Sequence, residues 1–438
     1  MKIAIIGSGI SGLAAAHTLR HTADISLFEA GSYFGGHTHT VDVELKTEQG
    51  SCVHGVDTGF LVFNERTYPN LIALLKELEV ETCHSDMSFS VQAYENNARV
   101  EWGGSNLNSV FAQRSNLLKP KFWGMLNDLM RFNKLATELA QHEQNHQASA
   151  ELKAQLRQPL SAFLKQHQLG EAFINWYLLP MLGCIWSCPT EQMLAFPVAT
   201  MVRFCHNHGL LQINNRPQWW TVKGGAKHYV EKIVGQIQNK YLATPVVKVT
   251  RLESGKVEVF TERTSSIFDA VILATHSDQS LKLLEHVSEK EKQILGAIQY
   301  QANVAVLHKD ESVMPKQKIA WSAWNYDQSD RHNSTQESRV CLHYWLNLLQ
   351  PLPSKENVFV SLNPNKSIKK EAVIDQFEYA HPVFDLAAIE AQNKVPEIQG
   401  LGAVYYAGAW MGYGFHEDGL KAGVTAAQKL LADFSAKA

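Results

Sequence analysis

Neither sign of charge prevails in this 438-residue chain: 40 lysines and arginines stand against 43 aspartates and glutamates, for a formal net charge of -3. No basic face is on offer to a phosphate backbone, so nucleic acid is not an expected partner. Low-complexity tracts are absent as well. With 45% apolar and 19% charged residues, the composition is that of a folded chain long enough for two or three domain-sized units. No apolar run is long enough to span a bilayer, since the most apolar window, Phe173 to Trp186, is broken by Asn175, Pro180 and Gly183. The strand-like run Ile3 to Ile6 starts two residues after Met1 and leaves no room for an export leader, so a cytoplasmic protein is expected. Cysteine is sparse and no C-x-x-C pair occurs, which predicts six reduced thiols rather than a disulfide framework. Cys184, Cys188, Cys205, His206 and His208 lie near one another in sequence, but their core-like flanks read as buried thiols and ordinary histidines, and no metal is expected.

What is present is concentrated at the start. Ile3-Ala4-Ile5-Ile6 is followed by Gly7-Ser8-Gly9-Ile10-Ser11-Gly12, a helical stretch from Leu13 to Arg20, and Ile25-Ser26-Leu27-Phe28-Glu29. This is a strand, a turn, a helix and a second strand. Gly7 permits the tight turn, Gly9 lets backbone approach a pyrophosphate, and Gly12 lets the helix pack close to the strand. The helix N-terminus around Ser11 presents unpaired N-H groups to the anion, and Glu29 stands at the distance where a carboxylate accepts from an adenosine ribose. A glycine turn serving packing alone would leave Glu29 unexplained.

Later segments lengthen the expected ligand. Gly35-Gly36-His37-Thr38 follows Glu29 in one short loop, and a second glycine pair there allows backbone to run along a longer cofactor. Tyr241 to Arg251 with Lys256 to Thr261 looks like a β-hairpin, and Phe268 to Thr275 reads as a buried parallel strand. Ala403 to Ala409 is a strand entering a glycine turn, and Glu417-Asp418-Gly419-Leu420 opens the last helix, whose positive end suits the charge of a reduced flavin.

Taken in order, these stretches resemble the flavin-containing amine oxidase superfamily, which includes monoamine oxidases, protoporphyrinogen oxidase, phytoene desaturases and fatty-acid double-bond isomerases. The tail Tyr406 to Gly419 is most similar to a bacterial branch of FAD-binding oxidoreductases associated with cyclopropane-type lipid modification. The resemblance implies FAD as cofactor, with Gly7, Gly9 and Gly12 on its pyrophosphate, Glu29 on its ribose and the backbone of Val247 at its adenine. It further implies Gly36, His37 and Thr38 along the flavin side, Gly408 at the pyrophosphate, Glu417 to Leu420 at the isoalloxazine, and Gly59 of Val56-Asp57-Thr58-Gly59 beneath it. The expected fold is α/β, a Rossmann-like FAD-binding domain interleaved with a substrate domain of mixed sheet plus helical insert. FAD-binding parts fall at 1–80, 219–290 and 400–438, and substrate parts at 81–218 and 291–399.

Two departures shape the chemistry. Amine oxidases of this superfamily usually hold a lysine in the strand that here reads Gln301 to Val306, and Asn303 stands at that place. A pair of aromatic walls is also expected, and Phe415, with Trp410 and Tyr413 nearby, supplies a candidate for one. Within 81–218 apolar residues recur at helical spacing from Phe122 to Leu139, and Phe173 to Trp186 is apolar on nearly every face, as deep core or as the wall of an apolar tunnel. Trp219-Trp220 and Gly224-Gly225 resemble the segment that returns the chain beneath the cofactor. Ala302 to His308, Ile319 to Trp324 and Val340 to Leu346 read as substrate-domain strands. With no G-x-S-x-G elbow and no H-E-x-x-H, chemistry falls to the flavin, with His416 and Glu417 as catalytic candidates and His37 and Asp418 nearby. The expected activity moves a hydride to or from an unsaturated fatty-acyl or lipid-like substrate, with peripheral membrane contact if the acyl group arrives on a phospholipid. Amine oxidation and a non-catalytic FAD-binding sensor are the alternatives.

Overall fold

A computed structural model describes residues 1–95, 98–144, 149–187, 189–212, 216–328 and 339–436; Cys188 lies outside them. The short buried runs of the opening assemble as five parallel strands in the order Asn239–Tyr241, Asp24–Phe28, Lys2–Ile6, Ala270–Leu273 and Val404–Tyr406. All but the first are apolar on both faces, as a parallel sheet covered on both sides requires. On this sheet the helix Ile10–Leu19 packs against the last helix, His416–Ser435, where two glycines set the spacing. A Cβ at Gly423 would overlap the Ser11 carbonyl, and one at Gly419 would press on Ile10 and Ser11.

The predicted hairpin is the antiparallel ribbon Val246–Arg251, Val257–Thr261 and Ser265–Phe268. Tyr241 is not part of it: Asn239–Tyr241 pairs with Asp24–Phe28 and closes the edge of the parallel sheet. A second large sheet has seven strands, in the order Val373–Val383, Gln299–His308, Phe359–Leu362, Cys341–Trp345, Trp324–Asp327, Phe89–Glu95 and Ala98–Gly103. Ile319 to Trp324 is not a strand. It is a short helical turn at Lys318–Ala320, and the strand begins at Trp324. The region after 81 is also less uniformly helical than its periodicity suggests, because Thr82–Ser85, Phe89–Glu95 and Ala98–Gly103 are strands, and helices take over from Leu107 to Asn207.

Alternation along the seven-stranded sheet gives it two unlike faces. Phe89, Trp324, Tyr344 and Val360 are aligned across four strands and face a cavity, as does Leu362. The residues between them, Ser90, Asn325, His343 and Ser361, are fully buried on the other side.

Candidate active site

One cavity of about 760 Å³ runs from the glycine turn of the parallel sheet to the apolar face of the large sheet. At the first end, Gly7 leaves the strand with φ of 97°, in the left-handed region glycine tolerates, and a Cβ there would overlap the Ala274 carbonyl. Gly12 does not line the cavity. It lets the helix seat itself, since a Cβ would overlap the Gly7 carbonyl. Gly9 and Ser11 do line it, and around the Cβ position of Gly9 there is open space. The Glu29 carboxylate is fixed by the Ser8 N-H (3.0 Å), the Ser8 hydroxyl (2.5 Å) and the Gly31 N-H (2.7 Å).

The second glycine pair meets the first. The Gly35 N-H donates to Ser8 Oγ at 3.1 Å, and a Cβ on Gly36 would come within 3.0 Å of the Gly9 Cα. Two backbone turns in contact, joined by the small Ser8 hydroxyl, form the kind of cradle an extended pyrophosphate ligand needs. Beyond it stand His37, Thr38, Gly59, Gly408 and His416, all on the cavity wall. His37 Nε2 is buried without a hydrogen-bond partner, a polar atom that a bound ligand would satisfy.

Histidine protonation follows from burial. Desolvation first, then neighbouring imidazoles, lowers His37 to about 3, while burial lowers His416 to about 3 and His381 and His208 to about 4. All four are neutral at neutral pH. The His416 ring stacks on Phe60 at 3.8 Å, and its Nε2 meets the Tyr229 hydroxyl at 2.8 Å, which in turn meets Thr38 Oγ1 at 2.5 Å.

Four expected contacts are placed elsewhere. Glu417 does not face the cavity: its carboxylate accepts from the N-H groups of Asn70 and Leu71 (3.0 Å each) and from Asn70 Nδ2 (2.6 Å), capping the helix Pro69–Glu77. Its position at a helix start serves a neighbouring helix and leaves no carboxylate for acid-base work. Asp418 accepts from the Tyr413 and Phe415 N-H groups at 3.0 Å each, and burial raises its carboxyl to about 6. Leu420 is packed in the core, and Val247 is 48% exposed at a register shift in its ribbon, so Val246 and Thr244 line the cavity instead. Asn303 is also away from the cavity, bonded to His381 Nδ1 (2.8 Å) and to Asn363. Cys184 and His208 reach the wall, Cys205 is a buried free thiol and His208 stacks on Phe204.

Sequence reading missed the strand Val373–Val383, which brings Tyr379, Ala380 and His381 to the cavity. Tyr379 bonds Thr58 Oγ1 at 2.8 Å and stacks on His37. The alternation of Phe377, Tyr379 and His381 was the available signal. Met181, Cys184 and Ile185 from the apolar segment do form wall, whereas Phe173 and Leu178 are core.

A parallel nucleotide sheet, a double glycine cradle and an apolar chamber on a second sheet define a dinucleotide-dependent oxidoreductase. The chain belongs to the flavin containing amine oxidoreductase family, whose model matches residues 10–354, and its cofactor is FAD. No curated protein matches the sequence. Solved structures resemble it along their whole length: cyclohexylamine oxidase from Brevibacterium oxydans (16% identity, 99% of each chain, TM-score 0.67), putrescine oxidase bound to putrescine (14%, 99% of each, 0.67) and a CLA-producing fatty acid isomerase from P. acnes (15%, 99% of this chain and 98% of that one, 0.65). At such identities the likeness establishes the fold. The protein is thus an FAD-dependent oxidoreductase.

Proposed function

We propose that the substrate is an unsaturated fatty-acyl or similarly apolar chain, from which a hydride is removed and either returned at another carbon, shifting the double bond, or kept by the cofactor while a proton is lost to solvent, leaving a desaturated product. The observation that carries this reading is the charge of the chamber. Among the described lining residues the charged side chains are Glu29 and Lys282, which come from the nucleotide half, and the histidines are held neutral. The far half is walled by Met181, Ile185, Phe204, Trp324, Val360 and Leu362. An ammonium substrate would meet no carboxylate there, whereas an alkyl chain gains about 0.8 kcal/mol per buried CH₂.

FAD, when bound, supplies a two-electron hydride acceptor. The chain's own part is to orient a C-H bond and exclude water. The large-sheet face and the helix Leu179–Trp186 confine the alkyl chain, and the Phe60-His416-Tyr229-Thr38 series holds the wall in one arrangement. Anaerobic mixing with unsaturated fatty acids or phospholipids should bleach the flavin or move a double bond. If neither occurs and primary or polyamines release peroxide instead, the amine reading replaces this one.

The same reading gives a route for substrate. No helix among the described residues is long and apolar enough to cross a membrane, but Leu107 (79%), Leu117 (46%), Leu118 (87%), Trp123 (50%) and Met130 (55%) are all exposed on neighbouring helices. Between 107 and 131 four basic residues, Arg114, Lys119, Lys121 and Arg131, accompany one acid, Asp128. Lys121 and Arg131 are paired with Glu95 (2.7 Å) and Asp128 (2.6 Å), which leaves Arg114 and Lys119 to favour an anionic lipid surface beside these apolar side chains. The enzyme is expected to sediment with vesicles of anionic phospholipid, less so at high salt, and the double substitution Leu118→Glu, Trp123→Glu is expected to lower vesicle binding at least tenfold while leaving turnover of soluble fatty acid unchanged.

A further inference from the structure

The face of the seven-stranded sheet turned away from the cavity is polar although it is fully buried. Ser90, Asn325, His308, His343 and Ser361 have no solvent exposure, and Asp327 and Cys341 have 3% and 1%. Most of these groups find partners: Ser90 Oγ donates to Asn325 at 2.6 Å, and Asn325 donates to the His343 carbonyl at 3.0 Å. Asp327 is different. Its carboxylate has no hydrogen-bond partner among the described residues, and His343 Nε2 stands 3.7 Å from it, beyond hydrogen-bond reach. The charge nearest in effect is the Arg99 guanidinium, whose pKa the Asp327 carboxylate helps to raise, and no donor from Arg99 reaches that carboxylate.

Strand register explains how three donors converge. Asp327 and Cys341 are directly opposed on antiparallel strands, and His343 lies two residues after Cys341, on the same face. Cys341 Sγ is 3.6 Å from His343 Nε2, and the three donor atoms lie within 4.8 Å of one another. This is not the geometry of a nucleophile relay, in which thiol and carboxylate occupy opposite nitrogens of the imidazole. Here both face Nε2. A tetrahedral zinc centre, with Zn-S about 2.3 Å and Zn-N or Zn-O about 2.0 Å, sets its S···N edge at about 3.5 Å and its N···O edge at about 3.3 Å. The observed 3.6 and 3.7 Å match these two edges within about 0.4 Å, and the sulfur-to-oxygen edge, no longer than 4.8 Å, closes toward about 3.5 Å on binding.

The neighbouring residues also prepare His343 as a ligand. The Asp310 N-H donates to His308 Nδ1 at 3.0 Å, so neutral His308 carries its proton on Nε2 and donates it to Ser361 Oγ at 2.7 Å. Ser361 Oγ has a second lone pair, 2.7 Å from His343 Nδ1. With a metal on Nε2 the His343 proton sits on Nδ1 and is donated to that oxygen; without one, the Ser361 hydroxyl can donate its own hydrogen to Nδ1. An outer hydrogen-bond partner on the second ring nitrogen is the usual companion of a metal-bound histidine.

We infer that Asp327, Cys341 and His343 form a binding site for a zinc-like divalent cation, on the face of the large sheet opposite the substrate chamber. Mixed sulfur, nitrogen and oxygen donors suit zinc rather than magnesium or calcium. Binding releases the Cys341 thiol proton to solvent, and the metal joins the two strands that present Trp324 and Tyr344 to the cavity. Its role is to hold that wall, not to take part in redox chemistry.

The test uses the FAD-loaded enzyme. After dialysis against a chelator it is titrated with cadmium ion and followed by the sulfur-to-cadmium charge-transfer band, and separately with zinc by calorimetry. One equivalent per chain at micromolar affinity or tighter is expected. Asp327→Asn, which keeps shape and strand pairing, and Cys341→Ser should each weaken binding at least 100-fold while bound-flavin absorbance is retained. Failure of the native enzyme to take up either metal, or an undiminished band in the Asp327→Asn and Cys341→Ser variants, which would place the thiolate elsewhere, overturns the assignment.

Discussion

Gly12→Val is expected to be recovered without its yellow colour, with FAD affinity lowered at least 100-fold and with a reduced melting temperature. A Cβ at this position would overlap the Gly7 carbonyl and press on the Ala274 Cβ at 3.2 Å. Neither neighbour can yield, because Gly7 is itself held at φ of 97° against the Ala274 carbonyl, and Ala274 continues the strand Ala270–Leu273, which pairs with the central strand of the parallel sheet. The helix must therefore move away from the strand, and overpacking of that kind costs about 1–3 kcal/mol before the lost anion contacts are counted. Those contacts follow, since the first-turn N-H groups move with the helix. Gly9→Ala is the control. Its Cβ would meet nothing within 4 Å, so the variant should fold normally, by circular dichroism and melting, and lose FAD affinity alone. Flavin absorbance per chain measures both, and a Gly12→Val enzyme that retains its full flavin complement would contradict this account of the turn.

The nucleotide half was legible because its signals are local. Gly7, Gly9 and Gly12 lie within one turn, Glu29 follows at strand spacing, and the buried runs are short and apolar throughout, so each residue type states its own constraint. What the sequence concealed depends on partners far along the chain. Glu417 looked like a group facing the ring because it opens a helix, yet its direction is set by Asn70 and Leu71, 347 and 346 residues away. Val246 replaced Val247 at the cavity because an irregularity in one ribbon exchanges the two faces, and a one-residue shift of register leaves no trace in composition. The strand carrying Tyr379 and His381 was passed over because it is an edge strand of mixed polarity, paired on one side with Gln299–His308. Asp327, Cys341 and His343 became neighbours only once the register of two strands was known. Chemistry carried by a turn can be read from a line of text, whereas chemistry carried by facing strands requires the fold.

Ile185→Asp is expected to separate the two substrate readings by the sign of its effect. Ile185 lies on the helix Leu179–Trp186, lines the chamber and is only half-buried, so the exchange should leave the fold and FAD content intact. For an alkyl substrate the change removes an apolar contact of about 1.5–3 kcal/mol and forces the chain to desolvate a carboxylate. A fall in kcat/KM of about 100-fold or more follows, at 1.36 kcal/mol per factor of ten. For an ammonium substrate the same carboxylate is an attraction of up to about 4 kcal/mol at 4 Å with an effective dielectric of 20, partly offset by desolvation, so KM should fall. Neutral His37, His381 and His416 contribute no charge that would mask either outcome at neutral pH. Steady-state kinetics with an unsaturated fatty acid and with a primary amine, on both enzymes, therefore give opposite patterns. A variant that turns over fatty acid as fast as the native enzyme would place the acyl chain away from this wall, and the apolar chamber would lose its claim to be the substrate site.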